Sequence, residues 1–161
     1  MPNEAPSPEE VAASTERARS AKVRIATNKG DLVFTFYPDD APVHTAAFMK
    51  LAEAGFYDGL TFHRVEPGFV VQGGDPEGNG TGGPGYRLKA EFNKRPHVRG
   101  TVAMARSSMP DSAGSQFYIC LGDARFLDNN YTVFGQLQEG FDALDAIRVG
   151  DTMSAVTIEE G

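Results

Sequence analysis

Residues 62–75 read Phe62-His63-Arg64-Val65-Glu66-Pro67-Gly68-Phe69-Val70-Val71-Gln72-Gly73-Gly74-Asp75. They cover most of two short strand-like runs, 60–65 and 68–73, and lead into a loop where glycine is concentrated. Within them stand one arginine, Arg64, and a glutamine eight residues on, Gln72. Read alone, an arginine near a sheet edge is a solvated or salt-bridged side chain and Phe69 a core residue; their neighbours decide otherwise.

The same short strand-like texture recurs on either side. Val23 and Ile25 alternate with Lys22, Arg24 and Ala26, and Leu32, Phe34 and Phe36 alternate with Val33, Thr35 and Tyr37. Thr27-Asn28-Lys29-Gly30-Asp31 lies between them, with Asn and Gly for the positive-φ positions of a hairpin turn. Further strand-like runs fall at 100–105, 116–121, 131–138 and 152–158. Asp39-Asp40-Ala41-Pro42 opens a helix, with acids ahead of the first turn and Pro at its first position. Val43, Ala47, Phe48, Leu51 and Ala54 keep helical spacing, and Gly55 closes it. A shorter helix fits 141–147. Many short strands with two helices predict a mainly β fold, a closed antiparallel barrel capped by those helices.

Eight of the 18 glycines lie between Gly68 and Gly85. Gly78-Asn79-Gly80-Thr81-Gly82-Gly83 spells G-x-G-x-x-G, but Pro84-Gly85 follows instead of the helix that a dinucleotide site needs. Asp75, Glu77, Asn79 and Gly80 imitate the start of a calcium loop, yet its twelfth position is Tyr86. A tightly turned surface excursion is the simpler reading. Residues 1–20 have another texture: Pro2, Pro6 and Pro8 among Glu, Ser and Ala, with Val11 the single large aliphatic residue. They are expected to form a flexible tail, at most with a frayed turn of helix at 9–18, ahead of a domain spanning 21–161.

Composition narrows the partners. Of 161 residues, 22 are Asp or Glu and 15 Lys or Arg, a net charge of −7 that argues against nucleic acid or an anionic membrane as partner. No apolar run reaches the ~18 residues of a membrane span. Cys120 is alone, so no intramolecular disulfide forms and a cytoplasmic location is expected. His44, His63 and His97 show no metal-ligand spacing.

The 62–75 stretch resembles the signature of the cyclophilin family of peptidyl-prolyl isomerases. Gly114-Ser115-Gln116-Phe117-Tyr118-Ile119 resembles that family's second motif, and Phe126-Leu127-Asp128 through Val133-Phe134-Gly135 its third, in order, within a match from about Ala21 to Ile158. The resemblance implies an eight-stranded antiparallel β-barrel with a helix at each end and an outer groove for Xaa-Pro segments. It places the catalytic arginine at Arg64 and the groove glutamine at Gln72. It places the proline pocket at Phe69, Val70, Tyr118 and Leu127. Substrate main chain would be held by Ala105-Arg106, with further contacts at Gln116, Phe126 and Tyr131. It implies no cofactor and no metal, proline-containing peptides and unfolded or folding proteins as partners, and a monomer.

The chemistry agrees with those roles. Rotation about Xaa-Pro crosses a barrier of ~18–20 kcal/mol and takes tens to hundreds of seconds unaided. Millisecond exchange requires ~10⁴–10⁵-fold acceleration, roughly 5.5–7 kcal/mol. No bond is made or broken, so a residue that favours the twisted amide suffices. The rigid, permanently charged fork of Arg64 can hold the carbonyl oxygen and support the imide nitrogen as its lone pair becomes basic. Gln72 is placed to orient that fork. His63 reads as structural, because isomerisation transfers no proton; Cys120 reads as a buried thiol, and Lys89, Lys94, Arg95 and Arg99 as a solvated loop. Val70, Phe126 and Tyr131 stand where eukaryotic members carry Met, Trp and His. Tyr118 stands for Phe and Arg106 for a common Asn. The substitution at Phe126 predicts weak cyclosporin binding. An isomerase assisting protein folding is the primary expectation; a proline-binding module or holdase without essential catalysis is the alternative.

Overall fold

Residues 4–160 are described in a computed structural model. The first hairpin forms where alternation places it. Strand β1 (Lys22–Thr27) pairs antiparallel with β2 (Gly30–Phe36), and Val23, Ile25, Leu32 and Phe34 all point into the core. Gly30 takes the left-handed turn position at φ 128°, whereas Asn28 does not. The Asn28 amide instead ties the turn to a distant segment, donating to Asp151 (2.9 Å) and accepting from the Thr152 N–H (2.9 Å).

The remaining strands are β3 (Phe62–Glu66), β4 (Val70–Gly73), β5 (Thr101–Met104), β6 (Phe117–Cys120), β7 (Val133–Glu139) and β8 (Met153–Glu159). They form one antiparallel sheet in the order β3-β4-β6-β5-β7-β2-β1-β8. The fold class is as expected, but closure is not complete. The edge strands β3 and β8 share no ladder. An isolated bridge, Thr61↔Thr152, and four backbone bonds (Gly59 to Met153, Met153 to Leu60, Phe62 to Asp151 and Gly150 to Phe62) form a seam. Gly73 makes the seam close, since a Cβ there would lie 2.8 Å from both the Thr61 carbonyl and the Met153 methyl.

Period-two alternation gives the central strands two apolar faces. Phe117 and Ile119 of β6, Val102 and Met104 of β5, Val71 of β4 and Phe134 of β7 enter the main core. There Phe34, Phe48, Tyr57, Phe117 and Phe134 meet mostly edge-on, with ring centroids 4.8–6.0 Å apart. The alternate residues Tyr118, Cys120, Ala103, Val70 and Val133 build a second apolar cluster on the opposite face, covered by Phe69, Leu127 and Tyr131.

The described residues also form three α-helices: α2 (Pro42–Glu53) and α3 (Phe141–Ala146) pack on the sheet, and α1 (Pro8–Ala18) packs on α2. The acids before α2 do not cap it. Glu91 does so from a distant loop, accepting from the Val43 and His44 N–H groups (3.1 and 2.8 Å) and from His44 Nδ1 (2.7 Å), while Asp40 pairs with Arg95. Within the stretch read as a tail, residues 8–18 form α1, and residues 1–3 lie outside the described ones. Ser7 and Glu10 form a reciprocal capping box, Ala18 is buried, and α1 lies along α2. Arg17 holds Glu53 and Glu160, and Lys50 holds Glu10. Small residues and ion pairs to residues far along the chain do what large aliphatic residues would have done. No helix among the described residues is long and apolar enough to cross a membrane.

Candidate active site

Strands β3 and β4 bring the two polar residues together. A register irregularity between Phe62 and Arg64 sets Arg64 directly across from Gln72, so an eight-residue separation becomes a cross-strand pair. Arg64 Nη1 donates to Gln72 Oε1 at 3.3 Å. Gln72 Nε2 donates to Gln116 Oε1 at 3.1 Å, and Gln116 Nε2 to the Gly82 carbonyl at 2.9 Å. The guanidinium thus stands at the end of an amide chain anchored on backbone, which orients its fork while leaving donors free. Two further contacts border it: Glu66, 3.6 Å from Nε, and the Phe69 ring, whose centroid is 5.8 Å from Cζ.

Beside Arg64 lies a groove of about 230 Å³, lined by Phe69, Val70, Gln72, Ala105, Arg106, Tyr118, Leu127 and Tyr131. It sits on the second apolar cluster, on the outer face of the sheet. Of the residues singled out in the sequence, two stand apart from this lining. Gln116 lines a neighbouring hollow of about 520 Å³, reached through Gln72, Ala105 and Arg106. Phe126 is 73% exposed at the rim and stacks on Phe69 at 5.6 Å and 29°. The Arg106 side chain is no bystander: Nε and Nη2 donate to the Asn130 carbonyl (3.0 and 2.7 Å), and its cation lies 4.6 Å from the Tyr131 ring centroid.

The phenol and thiol under the groove keep their protons, so its charge comes from arginine. Burial pushes the Tyr118 phenol well above its ordinary pKa, and the Cys120 thiol behind it up to about 12. Burial also lowers the pKa of His63, whose Nδ1 is buried without a partner, in keeping with a structural histidine. Asp75, at the start of the glycine-rich loop, accepts from the N–H groups of Glu77, Asn79 and Gly80 (2.8, 3.0 and 2.5 Å), so its carboxylate organises the loop. No group of three acidic, His or Cys side chains among the described residues is arranged to hold a metal ion.

Sequence reasoning missed Glu66 beside Arg64, and it missed His97, which meets the Tyr118 hydroxyl at 2.8 Å. The second had a signal. A tyrosine standing for a phenylalanine in an apolar pocket needs a partner for its hydroxyl.

The chain matches known proteins along most of its length. Residues 22–160 match the family model described as cyclophilin type peptidyl-prolyl cis-trans isomerase/CLD. A peptidyl-prolyl cis-trans isomerase of Helicobacter pylori is 46% identical over 145 residues, covering 88% of each chain. Peptidyl-prolyl cis-trans isomerase B of Bacillus subtilis is 48% identical over 128 residues, 78% of this chain and 89% of that one. Among solved structures, a cyclophilin type isomerase of Cryptosporidium parvum superposes with a TM-score of 0.80 at 30% identity, covering 87% of this chain and 98% of its own. A structure of the same protein in the presence of the dipeptide Ala-Pro gives 0.76 at 32% identity, with the same coverage.

Proposed function

The chain belongs to the cyclophilin-type peptidyl-prolyl cis-trans isomerases, and on that premise we propose that Arg64 is its catalytic residue and that the groove beside it clamps the substrate proline. The observation that carries the assignment is the Arg64–Gln72 pair standing over an apolar groove walled by Phe69, Tyr118 and Leu127. The proline ring enters that groove as an apolar anchor, and the residue before it rotates. As the amide twists, resonance is lost and the imide nitrogen turns basic. One arm of the Arg64 fork then meets a lone pair that the planar amide does not offer, so the interaction favours the transition state over the ground state. Gln72 acts through Arg64, and Gln116 through Gln72.

The contact with Glu66 tunes this arrangement. At 3.6 Å between half-exposed side chains it is a weak pair. It holds the cation near the groove without competing strongly with a substrate carbonyl. The same chemistry acts on any accessible Xaa-Pro bond, which supports a role in assisting the folding of proline-containing chains. Exchange spectroscopy on an Ala-Pro peptide tests the assignment. Acceleration well above the spontaneous rate, lost in Arg64→Ala, is expected; a parent protein with no rate above background overturns it.

A further inference from the structure

Two walls of the groove come from different parts of the chain. Tyr118 is on β6, whereas Leu127 and Tyr131 belong to the segment 125–131, which begins with a short 3₁₀ helix (Arg125–Leu127). They meet at one buried side chain. His97, on the loop between β4 and β5, is fully buried and touches both. Its Nε2 lies 2.8 Å from the Tyr118 hydroxyl and its Nδ1 3.0 Å from Asp128 Oδ1. Its backbone N–H donates to the same Asp128 oxygen at 2.7 Å, and its carbonyl accepts from Ala124 N–H at 2.9 Å. The Tyr131 ring packs edge-on against both His97 and Tyr118, with centroids 6.3 and 5.8 Å away.

Resting on the isomerase reading above, we propose that His97, held by Asp128, is a positioning residue for the proline groove: it fixes the Tyr118 ring and the 125–131 segment relative to each other. The polarity of the chain follows from its ends. The Asp128 carboxylate can only accept, so Nδ1 carries the proton; Nε2 is then the acceptor, and the Tyr118 hydroxyl donates to it. Burial favours the neutral imidazole that this order requires. Asp128, Tyr118 and Tyr131 face the ring, with Cys120 and Arg106 near the Tyr118 phenol. A phenol so held has one orientation in the groove floor, and a clamp of fixed width binds proline in the ground and transition states alike. Loosening it therefore raises KM more than it lowers kcat.

The test is a double-mutant cycle on the full chain. Asn at position 97 keeps a donor toward Asp128 but is too short to reach Tyr118. His97→Asn is expected to lower kcat/KM by about fivefold, mostly through KM, and Tyr118→Phe by about threefold. Because both remove one link, the double variant should fall no further than the worse single variant, within about twofold. Multiplying losses, or a fall in melting temperature with kcat/KM unchanged in both single variants, would overturn the inference. Should His97→Asn fail to fold, the imidazole ¹⁵N shifts of the parent protein decide: a proton on Nδ1 supports the chain as drawn, and one on Nε2 refutes it. A parent without isomerase activity would instead be a failure of the catalytic assignment, and Arg64→Ala separates that outcome, because it should lower kcat/KM by ~10²-fold or more while leaving the His97 shifts in place.

Discussion

Replacing Arg64 by alanine separates the catalytic role proposed for it from stability, because the side chain stands at the surface of the fold. Its side chain is 46% exposed and makes three weak contacts: Gln72 at 3.3 Å, Glu66 at 3.6 Å and the Phe69 ring at 5.8 Å. An exposed ion pair of this kind is worth up to ~1 kcal/mol, and the bond to Gln72 and the cation–π contact each ~1 kcal/mol at most in so open a site. These upper limits are not additive, and water replaces each partner, so the net loss of stability is about 1 kcal/mol. For a chain of this size that moves Tm by roughly 2–4 °C. Loss of the transition-state donor costs ~10²-fold or more in kcat/KM, about 2.7 kcal/mol. Arg64→Lys restores the charge but not the fork, and recovers less than about a tenth of the loss in free energy. Exchange kinetics on an Ala-Pro peptide, read beside thermal unfolding, check both halves. A variant that keeps over half of the parent activity with an unchanged Tm would refute the proposed role of the guanidinium.

Removing residues 1–18 should lower Tm by ~2–6 °C in calorimetry without changing kcat/KM, since α1 packs on α2 and reaches the chain's end through Arg17–Glu160, away from the groove. Asp151 should make the fold acid-sensitive. Its bonds to Asn28, Lys29 and the Arg148 N–H hold its pKa at about 2, below the ordinary 3.8. The stabilisation is thus complete above pH ~4 and lost as pH falls toward 2. Asp151→Asn should therefore flatten the decline of Tm across that window, and an unchanged slope would remove Asp151 as its cause. Phe126→Trp should tighten cyclosporin by roughly tenfold, because the exposed ring on Phe69 gains an indole N–H, while peptide turnover changes less than about threefold. The variant's sole tryptophan reports its affinity by fluorescence, and inhibition assays on both proteins give the comparison.

What was legible in the sequence divides by the range of the interaction. Alternation in β1 and β2, and the 3.6-residue spacing of Val43, Ala47, Phe48 and Leu51, are local signals of burial, and those elements form where they point. Features fixed by partners far along the chain left no local trace. Glu91 caps α2 from 48 residues away, Arg17 reaches Glu53 and Glu160, and the seam at Thr61↔Thr152 replaces a closing ladder. The groove falls between these cases. Arg64 and Gln72 were recognisable from their motif, but their direct opposition depends on the irregularity after Phe62, which spacing alone does not reveal. The floor was hidden for another reason. Strands β5 and β6 are four residues each and buried on both faces, so alternation between apolar and polar residues is absent. A strand of that kind normally lies between two covered faces, and here the outer cover is only partial: Phe69, Leu127 and Tyr131 leave a gap over Tyr118 and Val70. That gap is where a small apolar ring can enter, and Arg64 stands at its edge. The uncovered part of a sheet with two apolar faces is therefore what the proposed proline site rests on, and the position of Tyr118 within it is what ties the buried His97 to that proposal.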